Sequence, residues 1–134
     1  MRFVLDIEPP RTTAQQKRTT FRNGRPQYYD GARLARARNT LRAALFEHKP
    51  KEPLQGCLAL AVRWFFSTPD RRKQGTWKRT RPDTDNLQKM LKDEMTRAGY
   101  WKDDAQVCVE HVEKAWGIDG RIVIEINVLN EVIP

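Results

Sequence analysis

Apolar and polar residues alternate at the start of the chain. Phe3, Leu5 and Ile7 fall on one side of an extended backbone, which predicts a short half-buried strand over residues 2–7. Pro9 and Pro10 end it. Residues 11–29 show no clear period, and Asn23-Gly24 within them is the turn signal of a small hairpin. The spacing then becomes helical. Leu34, Ala37, Leu41, Ala44, Leu45 and His48 form one stripe, with Asp30 as cap, a start at Gly31 and Pro50 as stop. Arg33, Arg36, Arg38 and Arg42 fall on the outer face of that helix. "CLALAVRWFFS" (57–67) alternates again, with Leu58, Leu60, Val62, Trp64 and Phe66 on the bulky face. A second helix is predicted over 86–98 from the stripe Leu87, Met90, Leu91, Met95 and Ala98, and Gly99 is placed to end it. Two extended runs follow, 105–116 and 121–129, with Asp119-Gly120 as a hairpin turn between them. Ile122, Ile124, Ile126 and Val128 give the last strand its buried face.

The order is strand, helix, strand, helix, hairpin. It predicts an α+β fold: a two-layer sandwich with a mixed or antiparallel sheet and the helices on one face. The 134 residues fit one domain, 1–134, with no internal repeat and no low-complexity linker. No apolar run approaches the length of a membrane span, and "MRFVLDIEPP" lacks the long apolar segment of a signal peptide. Cys57 and Cys108 make no metal or redox spacing and sit in apolar, strand-like runs. They read as buried free thiols in a reducing, cytoplasmic setting, without a base and acid for thiol catalysis.

Charge changes this picture. Residues 1–82 hold 19 Lys/Arg against 6 Asp/Glu, whereas residues 83–134 hold 6 against 11. The basic half calls for a polyanionic partner, of which nucleic acid is the commonest. The loop over 68–82 carries Arg71, Arg72, Lys73, Lys78, Arg79 and Arg81 around Gly75 and Trp77. With Lys17 and Arg18 of the N-terminal segment, these are the candidate contacts to a DNA backbone. Trp77 suits stacking on an unpaired base, and equally suits core packing or a dimer contact.

Acids follow directly on this basic loop, in "RPDTDN" (81–86). In extended backbone Asp83 and Asp85 point the same way. Lys89 comes one turn later, on the side of Asp85 and away from the leucine stripe. Asp103 and Asp104 follow the Gly99 turn. Carboxylates and a lysine so disposed suit Mg²⁺-assisted phosphodiester hydrolysis, because Mg²⁺ takes oxygen ligands and keeps several waters. A plainer account also fits. Asp85 with Gln88 reads as a capping box, Asp83 after Pro82 as turn chemistry, and Asp103-Asp104 as a solvated turn. Spacing alone leaves open whether Asp103 or Asp104 returns to Asp83 within one subunit.

"RPDTDNLQKMLKDEMTRAGYWKDDAQV" (81–107) resembles the signature of the RusA family of Holliday junction resolvases. That signature is an acidic D-x-D-N, a leucine and a lysine on the following helix, a turn, and then D-D-x-Q-[VI]. The likeness extends more loosely over nearly the whole chain, with a proline-containing first strand, a basic N-terminal loop and a helix before the central strand. It implies a small homodimeric endonuclease that uses Mg²⁺, with Mn²⁺ as substitute, and cuts four-way junction DNA symmetrically in two strands. By motif position it implies Asp83, Asp85 and Asp104 as metal-binding catalytic carboxylates, Asp103 as a further metal ligand, and Lys89 as the catalytic lysine. Asn86 and Gln106 are family-typical residues that would support the site. "PPRTTAQQKRTTFRNGRPQYY" is longer and more basic than the corresponding family loop. The rival readings are a non-catalytic DNA-binding protein of phage recombination or replication, and a nuclease that prefers other branched DNA.

Overall fold

The computed structural model describes residues 1–13, 18–22, 24–29 and 31–134, with 18–22 and 25–29 described by their backbone alone. Strand β1 (Arg2–Leu5) is followed by a hairpin of β2 (Arg18–Arg22) and β3 (Arg25–Tyr29), which pair antiparallel with Arg22 opposite Arg25. Helix α1 (Ala32–Phe46), strand β4 (Leu58–Ser67), helix α2 (Thr84–Ala98), a single 3-10 turn (Asp104–Gln106), β5 (Val107–Gly117) and β6 (Arg121–Val128) complete the chain. The main sheet runs β1-β6-β4-β5; β4 and β5 are parallel, and the other pairs antiparallel.

The alternation read in β4 is the alternation observed. Leu58, Leu60, Val62, Trp64 and Phe66 are all at most 1% exposed, and they meet Leu34, Leu41 and Leu45 of α1 and Leu87, Met90, Leu91 and Met95 of α2 in one core. Both helices therefore lie on one face of a mixed sheet, as expected of an α+β sandwich. Parallel pairing of β4 with β5 follows from α2 lying between them in sequence, since parallel neighbours need a crossover. Tyr100 and Trp101 are buried under the turn after α2, as expected. The Tyr100 hydroxyl donates to the Leu45 carbonyl, and Trp101 Nε1 donates to Thr96 Oγ1 at 2.7 Å.

Four local readings need correction. The runs before and after Asp119-Gly120 do not form a hairpin, because β4 lies between β5 and β6. The connection 118–120 crosses the end of β4, where Phe65 faces Ala115 on one side and Arg121 on the other. Two strand spacings are about 9.5 Å, within reach of three extended residues. Gly120 suits this crossing: a Cβ there would lie 2.6 Å from the Cα of Glu8. Second, α1 starts at Ala32 with Gly31 as its cap residue and no side-chain cap, while the expected cap Asp30 lies outside the described residues. Third, Arg38 and Arg42 do not belong to an outer face, because both bind Glu94 of α2. Fourth, neither cysteine is buried: Cys57 is half-buried and Cys108 exposed. Cys108 is the extra residue at the register shift where Val107 and Val109 face Leu58 and Ala59.

Candidate active site

Helix α2 begins where the basic loop ends. Asp83 has extended backbone and is the N-cap; its Oδ1 accepts from the Asn86 amide at 2.9 Å. Asp85 is therefore in the first helical turn, where the positive end of the helix dipole favours a carboxylate. The cap role expected of Asp85 falls to Asp83. The two acids are not a pair on extended chain: one caps the helix and the other projects from its first turn. Gln88, the supposed partner in the capping box, is 4% exposed and turned inward, where its Oε1 accepts from Trp64 Nε1 at 2.8 Å.

One side of α2 and the start of β5 enclose an open cleft of about 490 Å³, lined by Asp85, Gln88, Lys89, Lys92, Asp104, Glu110 and Val112. Asp104 thus reaches the side of Asp85 and Lys89 within a single chain. The route explains the spacing of the motif. Gly99 takes φ +96 and ends α2 through its amide, which donates to Met95 and Thr96 carbonyls. The chain reverses past Trp101, and a 3-10 turn then presents Asp104. Asp103 caps that turn by accepting from Ala105 N at 2.9 Å. Gln106 fixes it from the other side. Its Oε1 accepts from the amides of Lys102 and Asp103, and its Nε2 donates to the carbonyls of Leu54 and Gly56 at 3.0 and 3.1 Å. Gln106 is a staple between the acidic turn and the segment entering β4, and Asn86 supplies the amide that Asp83 caps.

Asp103 faces a neighbouring groove with Asp93, Thr96, Arg97 and Lys102, which Asp104 also lines. Asp83 is exposed at the helix end and does not line the cleft. Among the described residues, no three His, Cys, Asp or Glu side chains approach closely enough to form a ready metal cage. The oxygen donors of Asp85 and Asp104 on an open surface nonetheless fit Mg²⁺, which is commonly held by one or two carboxylates, several waters and substrate phosphate oxygens.

Three cleft residues were not singled out from the sequence. Glu110 accepts from Gln88 Nε2 at 2.8 Å and from Lys92 Nζ at 3.0 Å, so a hydrogen-bonded chain runs from buried Trp64 through Gln88 and Glu110 to Lys92. Period-2 reading of β5 was the available signal. Glu110, Val112, Lys114 and Trp116 stand opposite Leu60, Val62, Trp64 and Phe66 in register, so they share the helix-covered face.

Of the candidate DNA contacts, Arg71, Arg72, Lys73, Arg79 and Arg81 are exposed on the loop beside the N-terminus of α2. Arg72 also pairs with Asp70 at 3.4 Å, and Lys73 Nζ lies 5.7 Å from the centre of the Trp116 ring. Trp77 is 69% exposed, which removes the core-packing alternative. Residues 75–78 run along the outer edge of β5, where Gly75 N and Lys78 N donate to Trp116 and Lys114 carbonyls. Lys78 is the exception. It is 5% exposed, and its ammonium donates to Thr80 O, Thr80 Oγ1 and the Arg81 carbonyl. All three of its protons are used inside the loop, so it does not fit the expectation of a phosphate contact. Lys17 lies outside the described residues, and Arg18 is described only as backbone of β2.

Residues 8–127 match the family model of Endodeoxyribonuclease RusA. A protein of Lactococcus phage r1t described as crossover junction endodeoxyribonuclease rusA is 36% identical over 127 residues, covering 93% of this chain and 95% of that one. Both matches span the cleft and the basic loop. The chain belongs to the RusA family of endodeoxyribonucleases.

Proposed function

We propose that this protein is a Mg²⁺-dependent endonuclease that binds four-way DNA junctions as a homodimer and resolves them by paired, symmetric cuts. The observation that carries the reading is the convergence of Asp85, Lys89 and Asp104 on one open cleft in a single chain of this family. The phage relative's name, a crossover junction endodeoxyribonuclease, supports the substrate.

Asp85 and Asp104 would hold the divalent ion, with Asp83 at the same helix end. A bound ion supplies Lewis-acid chemistry at the scissile phosphate. Lys89 projects its ammonium into the cleft and holds the phosphate by charge, while Gln88 and Glu110 keep Lys92 at the cleft wall. Arg79 and Arg81 lie just before the acids and suit the flanking phosphates. Acids alone would repel DNA, and the exposed arginines offset that repulsion. A C2 dimer carries two such clefts to two strands of a pseudo-symmetric junction.

The test is turnover on matched four-way, flap and fork substrates with Mg²⁺, Mn²⁺ or EDTA. The reading predicts fastest metal-dependent cleavage of the four-way junction, with cuts paired across its symmetry axis. Equal turnover on flaps and forks would overturn the substrate assignment. Binding without cleavage of any branched DNA would overturn the enzymatic one.

A further inference from the structure

Two lysines converge beneath the loop that delivers Asp83. Lys78 Nζ donates to Thr80 O at 3.1 Å, to Thr80 Oγ1 at 2.7 Å and to the Arg81 carbonyl. Lys114 Nζ, from β5, donates to Thr80 O at 2.8 Å and to Pro82 O at 2.7 Å. The three carbonyls immediately before Asp83 are therefore all taken by ammonium groups, and that of Thr80 is shared by both. Lys78 also lies against Phe66 and Trp116, 4.9 and 4.7 Å from the ring centres.

This arrangement is costly for a loop that only needs closing. Two like charges meet in a partly dry place, where neutral donors would satisfy the same carbonyls. Burial, then the charges of Lys114 and Arg11, push the Lys78 amine down to about 8. Burial also lowers Lys114, and the Asp83 carboxylate acts in the opposite direction. Lys114 thus lies near the acidic end of α2, where the Asp83 carboxylate offsets part of the cost of burying it. The two ammonium groups also fix the backbone from which Arg79 and Arg81 extend.

We infer that Lys78 and Lys114 are positioning residues of the active site: their ammonium groups, bound to the carbonyls of Thr80, Arg81 and Pro82, set the Asp83 cap and the direction of Asp85 for metal and phosphate. The inference rests on the proposed endonuclease reading for its catalytic consequence, but its metal-binding consequence is measurable without DNA. Neither lysine touches substrate; each acts through the loop.

The experiment uses the full chain as wild type, Lys114→Ala, Lys114→Arg and Lys78→Met. Three quantities are measured: Mg²⁺ dependence of junction cleavage, tryptophan-sensitised Tb³⁺ emission without DNA, and junction affinity in EDTA. Outer-shell residues of metal sites typically change affinity or activity by 10- to 100-fold. Half-saturating Mg²⁺ and Tb³⁺ are therefore expected to rise about 10-fold in Lys114→Ala, with junction affinity held within about 3-fold. Lys114→Arg, which keeps a cation and its donors, should recover most of the loss. Lys78→Met, whose apolar side chain still packs on Phe66 and Trp116, should shift both metal curves in the same direction even if Lys114→Ala does not fold.

Folded variants with wild-type Mg²⁺ and Tb³⁺ curves would overturn the inference. So would a loss that follows the unfolded fraction alone and is not reduced by higher metal concentration, or a wild type with no Tb³⁺ emission. If wild type binds Tb³⁺ but cuts no branched DNA, the endonuclease reading fails while the Tb³⁺ comparison still decides the positioning role.

Discussion

Helix α2 contributes to two acidic centres of opposite design, Glu94 on one side and, on the other, Asp85 facing Asp104 of the following 3-10 turn across the cleft. Glu94 is 0% exposed and enclosed by three arginines. Arg42 Nε and Arg97 Nη1 each lie 2.6 Å from its carboxylate, and Arg38 Nη1 lies 3.4 Å away. Burial pushes the Glu94 carboxyl up, but the hydrogen bond and charge of Arg42, followed by those of Arg97, reverse the shift and leave it below the ordinary range. That centre is closed: its charge is spent joining α1 to α2. Asp85 and Asp104 instead face an open cleft with Lys89, and no side-chain ion pair to either acid is formed among the described residues. A charge already satisfied inside the fold contributes to stability; one left facing solvent beside a lysine is available to a ligand.

The largest effect expected from breaking this contrast is at the closed centre. Glu94→Gln removes the charge that three arginines face and should cost about 2 kcal/mol, because Glu94 and Arg38 are buried while water screens the half-exposed Arg42 and Arg97. For a chain of this size that lowers Tm by roughly 7 °C. Thermal unfolding checks it. The contribution also depends on pH in a definite direction. A carboxyl held low in the folded state stabilises above its unfolded pKa, and that stability is lost as pH falls through the folded value. Wild type should therefore lose Tm more steeply than Glu94→Gln in acid.

Glu110→Gln is expected to act between the two extremes. The amide can still accept from Lys92, but the charge that holds it is gone. Cleavage should fall about 10-fold, as for other residues that orient a site through hydrogen bonds. Tm should change little, because Glu110 is at the cleft and its side chain is 30% exposed. Single-turnover cleavage and unfolding, measured together, separate the two effects.

The smallest effect belongs to the basic loop. Arg79→Ala should weaken junction binding a few-fold and reduce the slope of log affinity against log salt by about 0.9, one phosphate contact's share. Lys78→Met should leave that slope unchanged, because the buried ammonium meets no phosphate. A salt titration of junction binding distinguishes the two lysine and arginine roles.

Much of this was legible in the chain, and what was missed follows a pattern. Alternation in β4 and the apolar stripe of α2 are local, and both elements are where the periodicity puts them. The β5–β6 reading failed because Asp119-Gly120 signals a reversal but does not say what lies between the strands, and β4 takes that place. The cap was assigned to Asp85 because Gln88 stands three residues on. Gln88 instead pairs with Trp64, a contact 24 residues distant that no local rule contains. Motif likeness singled out Asp83, Asp85, Lys89 and Asp104 together, and spacing alone did not. Lys78 reads from the sequence as a DNA-backbone contact of a basic loop, although its side chain turns under Thr80. Glu110 and Lys114 passed as ordinary members of an extended run: period-2 alternation puts them on one face of β5, but only the register against β4 shows that face to be the one the helices cover.

The open centre is tested most directly by junction cleavage at saturating Mg²⁺ with wild type, Asp85→Asn and Asp104→Asn, alongside junction binding in EDTA. Removing either carboxylate should lower the cleavage rate by at least roughly 100-fold, in line with the loss of a group that acts at the reacting phosphate. Binding should be retained or tightened, because each substitution removes a negative charge facing DNA. Folded variants that cleave at the wild-type rate would contradict the account.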